Sequence, residues 1–397
     1  MLTYPNFDSL YSPDHTLKLF RDTVKDFVVK EIMPLASEID VKNDFPIPLW
    51  KTLGSMGLLG ITVTEKFNGI NCGYLEHVIA MEEISRGSAA VGLSYAAHSN
   101  LCINQLVRFG NEDQKQKYLP KLVSGEWIGA LAISESNAGS DALNMELTAN
   151  KSSDKSSDNL DFILNGRKMW ITNGSEADVI IVYAKTNKAA GSKGITAFII
   201  ATNDLKGFYR TKKLDKLGMR GSNTCELIFN NCSVSSSNIL HKENAGIEVL
   251  MGGLNYERLI LAAGPIGIMQ ACLDLVLPYI RQRKQFGKSL GEFQLIQSKI
   301  ADLYTALNAS RAYLYNLAKL ADSYKQLSNQ DAASILLFTA EQAVKVALDT
   351  IQILGANGYC NECIAGRLLR DAKLYEIGGG TSEIRRIIIG KELYNPR

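Results

Sequence analysis

NAGIEVLMGGLNYERLILAAGPIGIMQACLDLVLPYIRQRKQFG, residues 244–287, is nearly all apolar between Ile247 and Cys272, where its only charges are Glu248, Glu257 and Arg258. A run that is hydrophobic all round and longer than any strand reads as helix buried in a large core. Only glycines and a proline interrupt it. Two more long helices are expected over 291–325 and 330–355, and a last one over 382–394, started by Thr381 or Ser382 with Arg385 and Arg386 following. Helices of this length joined by short links form a four-helix bundle.

Working outward toward the N-terminus, the texture changes. WIGALAIS (127–134), DFILNGRKMWITN (161–173), VIIVYAKT (179–186), GITAFII (194–200) and TCELIFNNCSV (224–234) are short β-rich runs separated by Gly, Asn, Ser and Asp. Such spacing suggests a small barrel or sandwich. KSSDKSSDNLD (151–161) is the only low-complexity segment and reads as a solvated hairpin tip. Earlier still, Leu17, Phe20, Val24, Phe27, Val28 and Ile32 recur at helical spacing, with Pro34 near the end of that helix. Leu75–Gly87 and Leu93–Phe109 read as two further helices, the second kept thin by Ser94, Ala96, Ala97, Ser99 and Asn100. The expected fold class is therefore α+β and multidomain. It comprises an α-helical N-terminal domain over 1–125, a β-barrel middle domain over 126–240 and a four-helix bundle domain over 241–397.

Composition narrows the class only broadly. The 397 residues allow roughly two to four domains. With 43 Lys+Arg against 41 Asp+Glu the formal charge is +2, and no basic block offers a grip on nucleic acid or an anionic membrane. No charge-free apolar stretch of about 20 residues reads as a membrane span. Residues 1–15 have neither the basic start and apolar run of a secretory signal nor the look of a transit peptide. Seven scattered cysteines fit reduced thiols better than a disulfide framework. Cys360 and Cys363 form a lone C-x-x-C with no second half to complete a zinc site.

Four features carry possible chemistry. Ile133–Asp141 follows an apolar strand, and Ala138-Gly139-Ser140 allows a tight turn whose N–H groups and hydroxyls suit a flavin or a phosphate. A ligand-free turn at a strand end would look the same. Trp170 and Thr172 lie two apart on a strand and so share a face, an indole to cover a ring and a hydroxyl to meet its polar edge. The plainer alternative is a barrel-core Trp before an Asn-Gly turn. Glu257 is a carboxylate in apolar surroundings, where desolvation lifts its pKa toward that of a working general base, unless it sits on an exposed stripe or is paired. Last come Arg283 to Gly287 with Gln294, then Gln352 to Gly358, then Gly378-Gly379-Gly380-Thr381-Ser382-Glu383. These suit a pyrophosphate or an anion at a helix start, or they simply join helices.

Taken together, AISESNAGSD (132–141), WITNG (170–174), RKQFGKSLGEFQLIQSKIADL (283–303), QILGANGY (352–359) and YEIGGGTSEIRR (375–386) make the chain resemble the acyl-CoA dehydrogenase family over essentially its whole length. The resemblance implies FAD, an acyl-CoA thioester substrate, electron-transferring flavoprotein as acceptor and a homotetramer. By motif, the flavin would be met by Leu131, Ala132, Ile133, Ser134 and Ser140, and by Trp170, Ile171 and Thr172, with Thr172 at the flavin N5. Arg283, Gln294, Gln352, Ile353, Leu354, Gly355, Ala356, Thr381, Ser382 and Glu383 match further FAD contacts, several reached from a neighbouring subunit. Ser140, Ser192, Lys193, Asn255, Tyr256, Arg258, Gly378, Gly379 and Gly380 match substrate positions.

Many members carry the catalytic Glu directly before a Gly-Thr pair, where this chain has Gly379, and an acid stands instead at Glu257 in LNYERLILAAGP (254–265). That relocation, with LGMRGSNTCELIF (217–229), is similar to the members that oxidise isovaleryl-CoA, and Gly378 and Gly379 would leave room for a branched acyl group. Glu257 would take the α-proton while the β-hydride goes to the flavin. The alternatives are another short, branched or longer-chain dehydrogenase or oxidase, and a non-catalytic flavoprotein of the same fold. Ser136 stands where the family commonly has Pro, so a looser turn is expected there. The resemblance implies the mitochondrial matrix in a eukaryote, while the initial Met and early first helix read as a bacterial cytoplasmic protein.

Overall fold

In the computed structural model, which describes residues 15–152, 161–324 and 327–394, the first helix α1 (His15–Phe27) buries only Leu17, Val24 and Phe27. It does not stop at Pro34. A π-helical turn (Val28–Ile32) and a 3-10 turn (Met33–Leu35) carry it into α2 (Ala36–Lys42), so the proline marks a bend. After α3 (Pro48–Ser55) come α4 (Tyr74–Gly87), buried along most of its length, and α5 (Ala89–Ala96). The Ser88 hydroxyl accepts the Val91 N–H and starts α5. The thin stretch Ala97–Asn104 is π-helical and leads into α6 (Gln105–Phe109). α7 (Glu112–Val123) begins with a reciprocal cap between Asn111 and Gln114.

The strands are β1 (Gly129–Ala132), β2 (Thr148–Lys151), β3 (Asp161–Thr172), β4 (Val179–Lys185), β5 (Ile195–Ala201), β6 (Phe208–Arg210), β7 (Thr224–Ser235) and β8 (Ile239–Leu240). They form one sheet in the order β6-β7-β3-β2-β4-β5-β8, with β1 parallel to β4 on the side that β2 also meets. Phe162 on β3 and Phe198 on β5 lie three strands apart, a separation of roughly 14 Å in a flat sheet. Their ring centroids are 5.4 Å apart. The sheet therefore curls around a common interior as the barrel reading requires, although no pairing of edge strands β6 and β8 closes it among the described residues. The tip at 153–160 lies outside the described residues. Its flanks pair antiparallel, with Lys151 opposite Phe162.

The opening stretch becomes two helices, α8 (Gly246–Leu261) and α9 (Ala263–Gln282), bent at Ala262. This run is long and apolar enough to cross a membrane, but most of it is buried inside the protein. A small hairpin of β9 (Lys284–Gln285) and β10 (Lys288–Ser289) follows, and then α10 (Gln294–Tyr324), α11 (Asn329–Leu354), α12 (Ala356–Tyr359), α13 (Ala365–Tyr375) and α14 (Ser382–Tyr394). α9 packs on α4 and α11, and one apolar cluster runs from α1 and α4 through α8, α9, α11 and α13. The approach of α9 to α4 needs Gly267, since a Cβ there would sit 2.4 Å from the Glu82 carbonyl oxygen. A buried ion pair also ties the N-terminal helices to the bundle: Arg311 on α10 donates from Nε and Nη2 to Glu82 on α4, at 3.0 and 2.6 Å.

The helical layer is fastened to the sheet by His98 and Asn173. The Gly129 N–H donates to His98 Nδ1 at 2.8 Å, so Nε2 carries the proton and donates to the Leu122 carbonyl at 2.9 Å. Burial lowers that imidazole to about 4, which keeps it neutral in this role. Asn173 donates to the carbonyls of Ser94 (2.9 Å) and Gly129 (3.2 Å), and so spans the helices and β1.

Candidate active site

Glu257 stands one turn before the end of α8, partly buried, and forms no hydrogen bond or ion pair among the described residues. Burial raises its carboxyl to about 7, against the opposing pull of the Arg258 and Arg385 charges. Across from it runs the glycine loop. An atom in the Cβ position of Gly379 would lie 3.9 Å from Glu257 Oε1, 3.1 Å from Leu336 Cδ2 and 3.2 Å from Leu261 Cδ1. The acid thus reaches the space that a side chain at residue 379 would occupy, in a notch walled by leucines. Gly379 and Gly380 have φ of +71° and +89°, values that a residue with a Cβ adopts only at a cost. The Gly379 N–H has no hydrogen-bond partner among the described residues. Arg258 Nε donates to the Gly379 carbonyl at 3.3 Å. Of the two expected caps for α14, Thr381 is the one used, its Oγ1 accepting the Ile384 N–H at 3.3 Å, whereas the Ser382 hydroxyl is buried without a partner.

The loop after β1 is tightly held. Glu135 and Ala138 exchange two N–H to carbonyl hydrogen bonds, each 3.1 Å, so the turn over Ser136 and Asn137 is closed on both sides despite the missing proline. The Glu135 carboxylate is buried and accepts the N–H groups of Glu146 (2.6 Å) and Leu147 (3.0 Å) and the Lys168 ammonium (2.9 Å). Lys168, fully buried on β3, also donates to the Ile133 carbonyl at 2.9 Å, while the Met169 N–H donates to the Ser134 carbonyl at 2.8 Å. Burial lowers the ammonium to about 8, with Glu135 pulling the other way. This clasp joins the two segments expected on the flavin; Glu135 falls within the first of them but, like Lys168, is not among the expected site residues. Lys168→Met would strand a buried carboxylate, at a cost of about 3–5 kcal/mol. We expect a lower unfolding temperature and loss of bound flavin, both partly recovered by adding Glu135→Gln, as read by thermal melts and the visible-to-ultraviolet absorbance ratio.

A bulge decides the direction of Trp170. Lys168 pairs with Leu227 and Ile171 with Cys225, so β3 spends one residue more than β7 between them. Phe162, Leu164 and Lys168 face the interior, and so does Ile171; without the bulge, Trp170 would have followed them in. Instead it has φ +60° and stays 50% exposed, on the same side as the half-buried Thr172. The barrel-core alternative for this Trp is therefore excluded. An exposed indole beside the Ser134 and Thr172 hydroxyls, neither of which is engaged among the described residues, is a face and a set of donors that fit an isoalloxazine ring.

Ser192 and Lys193 lie in the turn Lys188–Gly194, which packs against α8 and against the turn Ala142–Asn144 that follows Ser140. Asn255 and Tyr256 are engaged within the protein. Asn255 donates to the Leu327 carbonyl (2.9 Å) and Asn329 Oδ1 (3.0 Å) and accepts from Arg258 (3.4 Å). Tyr256 is buried against Tyr74, its ring 4.6 Å away, and under the Arg108 guanidinium at 4.2 Å. These contacts hold both side chains in place within the protein.

Arg283, Gln294, Gln352, Gly355 and Ala356 are exposed at the opposite end of α11, while Ile353 and Leu354 are buried. Tyr279 donates to the Leu354 carbonyl (3.2 Å) and accepts from Asn357 (3.0 Å), which sets the β9–β10 hairpin beside this segment. Sixteen residues of α11, about 24 Å of helix, separate Gln352 from the Leu336 that touches the glycine loop. Within one chain these residues and Glu257 form separate places. Cys360 is exposed in a turn closed by the Cys363 N–H donating to its carbonyl, and no group of potential metal ligands occurs among the described residues.

A partly buried carboxylate facing a side-chain-free loop, together with an exposed indole flanked by unengaged hydroxyls, are features that fit a flavin-dependent oxidoreductase. The acyl-CoA dehydrogenase N-terminal, middle and C-terminal domains match residues 14–126, 130–232 and 244–394, and the chain belongs to that family. An isovaleryl-CoA dehydrogenase, mitochondrial, of Arabidopsis thaliana is 59% identical over 96% of this chain and 92% of that protein. A 2-methylacyl-CoA dehydrogenase, mitochondrial, of Solanum tuberosum is 57% identical, with 96% and 91% covered. The solved butyryl-CoA dehydrogenase of Megasphaera elsdenii superposes with a TM-score of 0.92 at 35% identity, over 97% of this chain and all of that one.

Proposed function

We propose that the chain dehydrogenates a short branched acyl-CoA at its α,β bond, isovaleryl-CoA to 3-methylcrotonyl-CoA, with Glu257 as general base. The observation that carries this is the meeting of the Glu257 carboxylate with the side-chain-free Gly379. An α C–H next to a thioester is too weakly acidic for a carboxylate alone, so the developing negative charge on the thioester oxygen needs a donor. The Gly379 N–H, unengaged among the described residues and borne by the residue whose Cβ position lies 3.9 Å from Glu257 Oε1, would supply it. Trp170, Thr172, Ser134 and Ser140 would hold the FAD ring, with Leu131, Ala132, Ile133 and Ile171 as its backbone bed. When bound, FAD supplies the two-electron acceptor for the substrate's β-hydrogen. Ser192, Lys193 and Arg258 stand where the CoA thioester and its nucleotide arm would pass.

Arg283, Gln294, Gln352, Gly355, Ala356 and Glu383 are read as FAD contacts to a neighbouring subunit of a homotetramer. The bare apolar surface beside them, with Phe286 93% exposed and Leu295 and Tyr359 also exposed, supports a second copy there. Electron-transferring flavoprotein is the proposed acceptor, and the three segments 1–125, 126–240 and 241–397 the proposed domains. The mitochondrial relatives favour the matrix over the cytoplasm as its compartment. The potato relative gives a second reading, a 2-methyl-branched acyl-CoA, and both branched types belong in the test.

Steady-state rates with isovaleryl-, 2-methylbutyryl-, butyryl- and octanoyl-CoA, each with dye or oxygen as acceptor, separate a branched-chain dehydrogenase from its straight-chain and oxidase siblings. A branched substrate should lead, with dye. Gly379→Ala puts a methyl between Leu336, Leu261 and Glu257. It should cost the branched substrate more than butyryl-CoA, by about 1–3 kcal/mol in relative kcat/KM. Only Gly379 of the two glycines expected to make room borders the leucines and Glu257; a Cβ at Gly378 meets only the Leu374 carbonyl oxygen at 3.7 Å, so Gly378→Ala should leave the ratio almost unchanged.

A further inference from the structure

Arg385 is fully buried, yet its hydrogen bonds among the described residues all go to carbonyls. Nη2 donates to the carbonyls of Tyr375 (2.7 Å) and Gly378, Nη1 lies 3.5 Å from the Leu336 carbonyl, and Nε has no partner. A guanidinium placed so is costly unless its position does something that a neutral group would not. Its main grip is on the peptide that joins Gly378 to Gly379. The described peptides are all trans, so the Gly378 carbonyl and the Gly379 N–H point to opposite sides of that unit. Holding the carbonyl toward Arg385 aims the N–H away from it. Arg258 holds the next carbonyl, that of Gly379, at 3.3 Å. Two cations thus clamp a loop whose glycines would otherwise leave it free to turn.

We infer that Arg385 is a positioning residue for the oxidation: through the Gly378 carbonyl it orients and polarises the Gly379 N–H that receives the charge developing on the thioester oxygen. A charged donor on a peptide carbonyl strengthens the N–H of the same peptide, because hydrogen bonds in series polarise one another. The same cation also opposes the rise in the Glu257 carboxyl. This rests on the proposed use of Gly379 as the oxyanion donor, and the test keeps the two apart.

The test compares wild type, Arg385→Met and Arg385→Lys as flavin-loaded proteins. One readout is kcat against KM with isovaleryl-CoA. The other is the infrared carbonyl band of a bound, non-oxidisable 3-thia-acyl-CoA thioester. Removal of an oxyanion donor costs about 10²–10³ in kcat, so the Met variant is expected near the lower end, with KM within a few-fold. Its thioester band should return toward the free value, and Lys, which keeps charge and donor, should restore much of both. A wild-type band unshifted from free thioester would overturn the Gly379 donor itself. A shifted wild-type band matched by the Met variant, or a fall in kcat that Lys does not relieve, would overturn the role of Arg385 alone. Loss of fold or flavin in both variants would make it a folding residue and also overturn the inference.

Discussion

Glu257→Gln is expected to fold, keep its flavin colour and lose turnover of isovaleryl-CoA by about 10²–10⁴-fold, the usual contribution of a general base. The change is nearly isosteric, and Glu257 has no hydrogen-bonded partner among the described residues to abandon. Because burial raises the carboxyl to about 7, wild-type kcat/KM should rise with pH through that value and fall about tenfold per unit below it. Stability should show the reverse dependence. A carboxyl whose pKa is raised in the folded state binds more protons folded than unfolded between about 4.5 and about 7, so the protein loses stability as pH rises through that window. The Gln variant escapes this loss. It should therefore be more stable than wild type at pH 8, by on the order of 3 kcal/mol, and match it near pH 4, as read by denaturant unfolding at the two pH values. Near-normal turnover in Glu257→Gln would show that the base is elsewhere.

Moving the acid across the notch gives the second large effect. Glu257→Gly alone should be inactive, and adding Gly379→Glu should return a measurable fraction of the activity, because both carboxylates reach the same space. Full recovery is not expected. Residue 379 has φ +71°, which costs a residue with a Cβ about 1–2 kcal/mol, and its Cβ would press on Leu336 and Leu261 at 3.1 and 3.2 Å. We expect a gain of about tenfold or more over the single variant, still well below wild type, with straight-chain substrates favoured. Steady-state kinetics of both proteins on butyryl- and isovaleryl-CoA decides it. A double variant no better than Glu257→Gly would break the geometric link between the two positions.

Much of this was legible in the chain. Long apolar runs in α8–α11 and alternating strands around 161–235 imposed the helix, sheet, helix order, since burial on all sides and on one side leave different periodicities. Glu257 stood out as an acid in an apolar helix, and the triple glycine as a loop without side chains. Other features depend on contacts distant in sequence. The bulge that turns Trp170 outward is a register difference between β3 and β7, which β3 alone does not encode. The pattern of Phe162, Leu164 and Lys168 did hint that the lysine faces inward, but its partner Glu135 lies 33 residues away. α13 is not evident in the sequence because its buried stripe includes Asp371, an acid whose place inside depends on the Met219 N–H it accepts at 2.6 Å and on the nearby Arg367 and Arg370 charges. α3 and α7 are short, and β2 and β6 have few residues to show an alternation.

In the proposed reaction a flavin beside Trp170 and Thr172 and a base at Glu257 act together on a branched acyl-CoA. Anaerobic mixing of the flavin-loaded protein with isovaleryl-CoA, with octanoyl-CoA in a parallel run, tests it in one spectrum. Rapid bleaching of the flavin absorbance by isovaleryl-CoA is expected, much slower or partial with octanoyl-CoA, and none by isovaleryl-CoA in Glu257→Gln. A flavin that no acyl-CoA bleaches, or that the Gln variant bleaches at the wild-type rate, would contradict it.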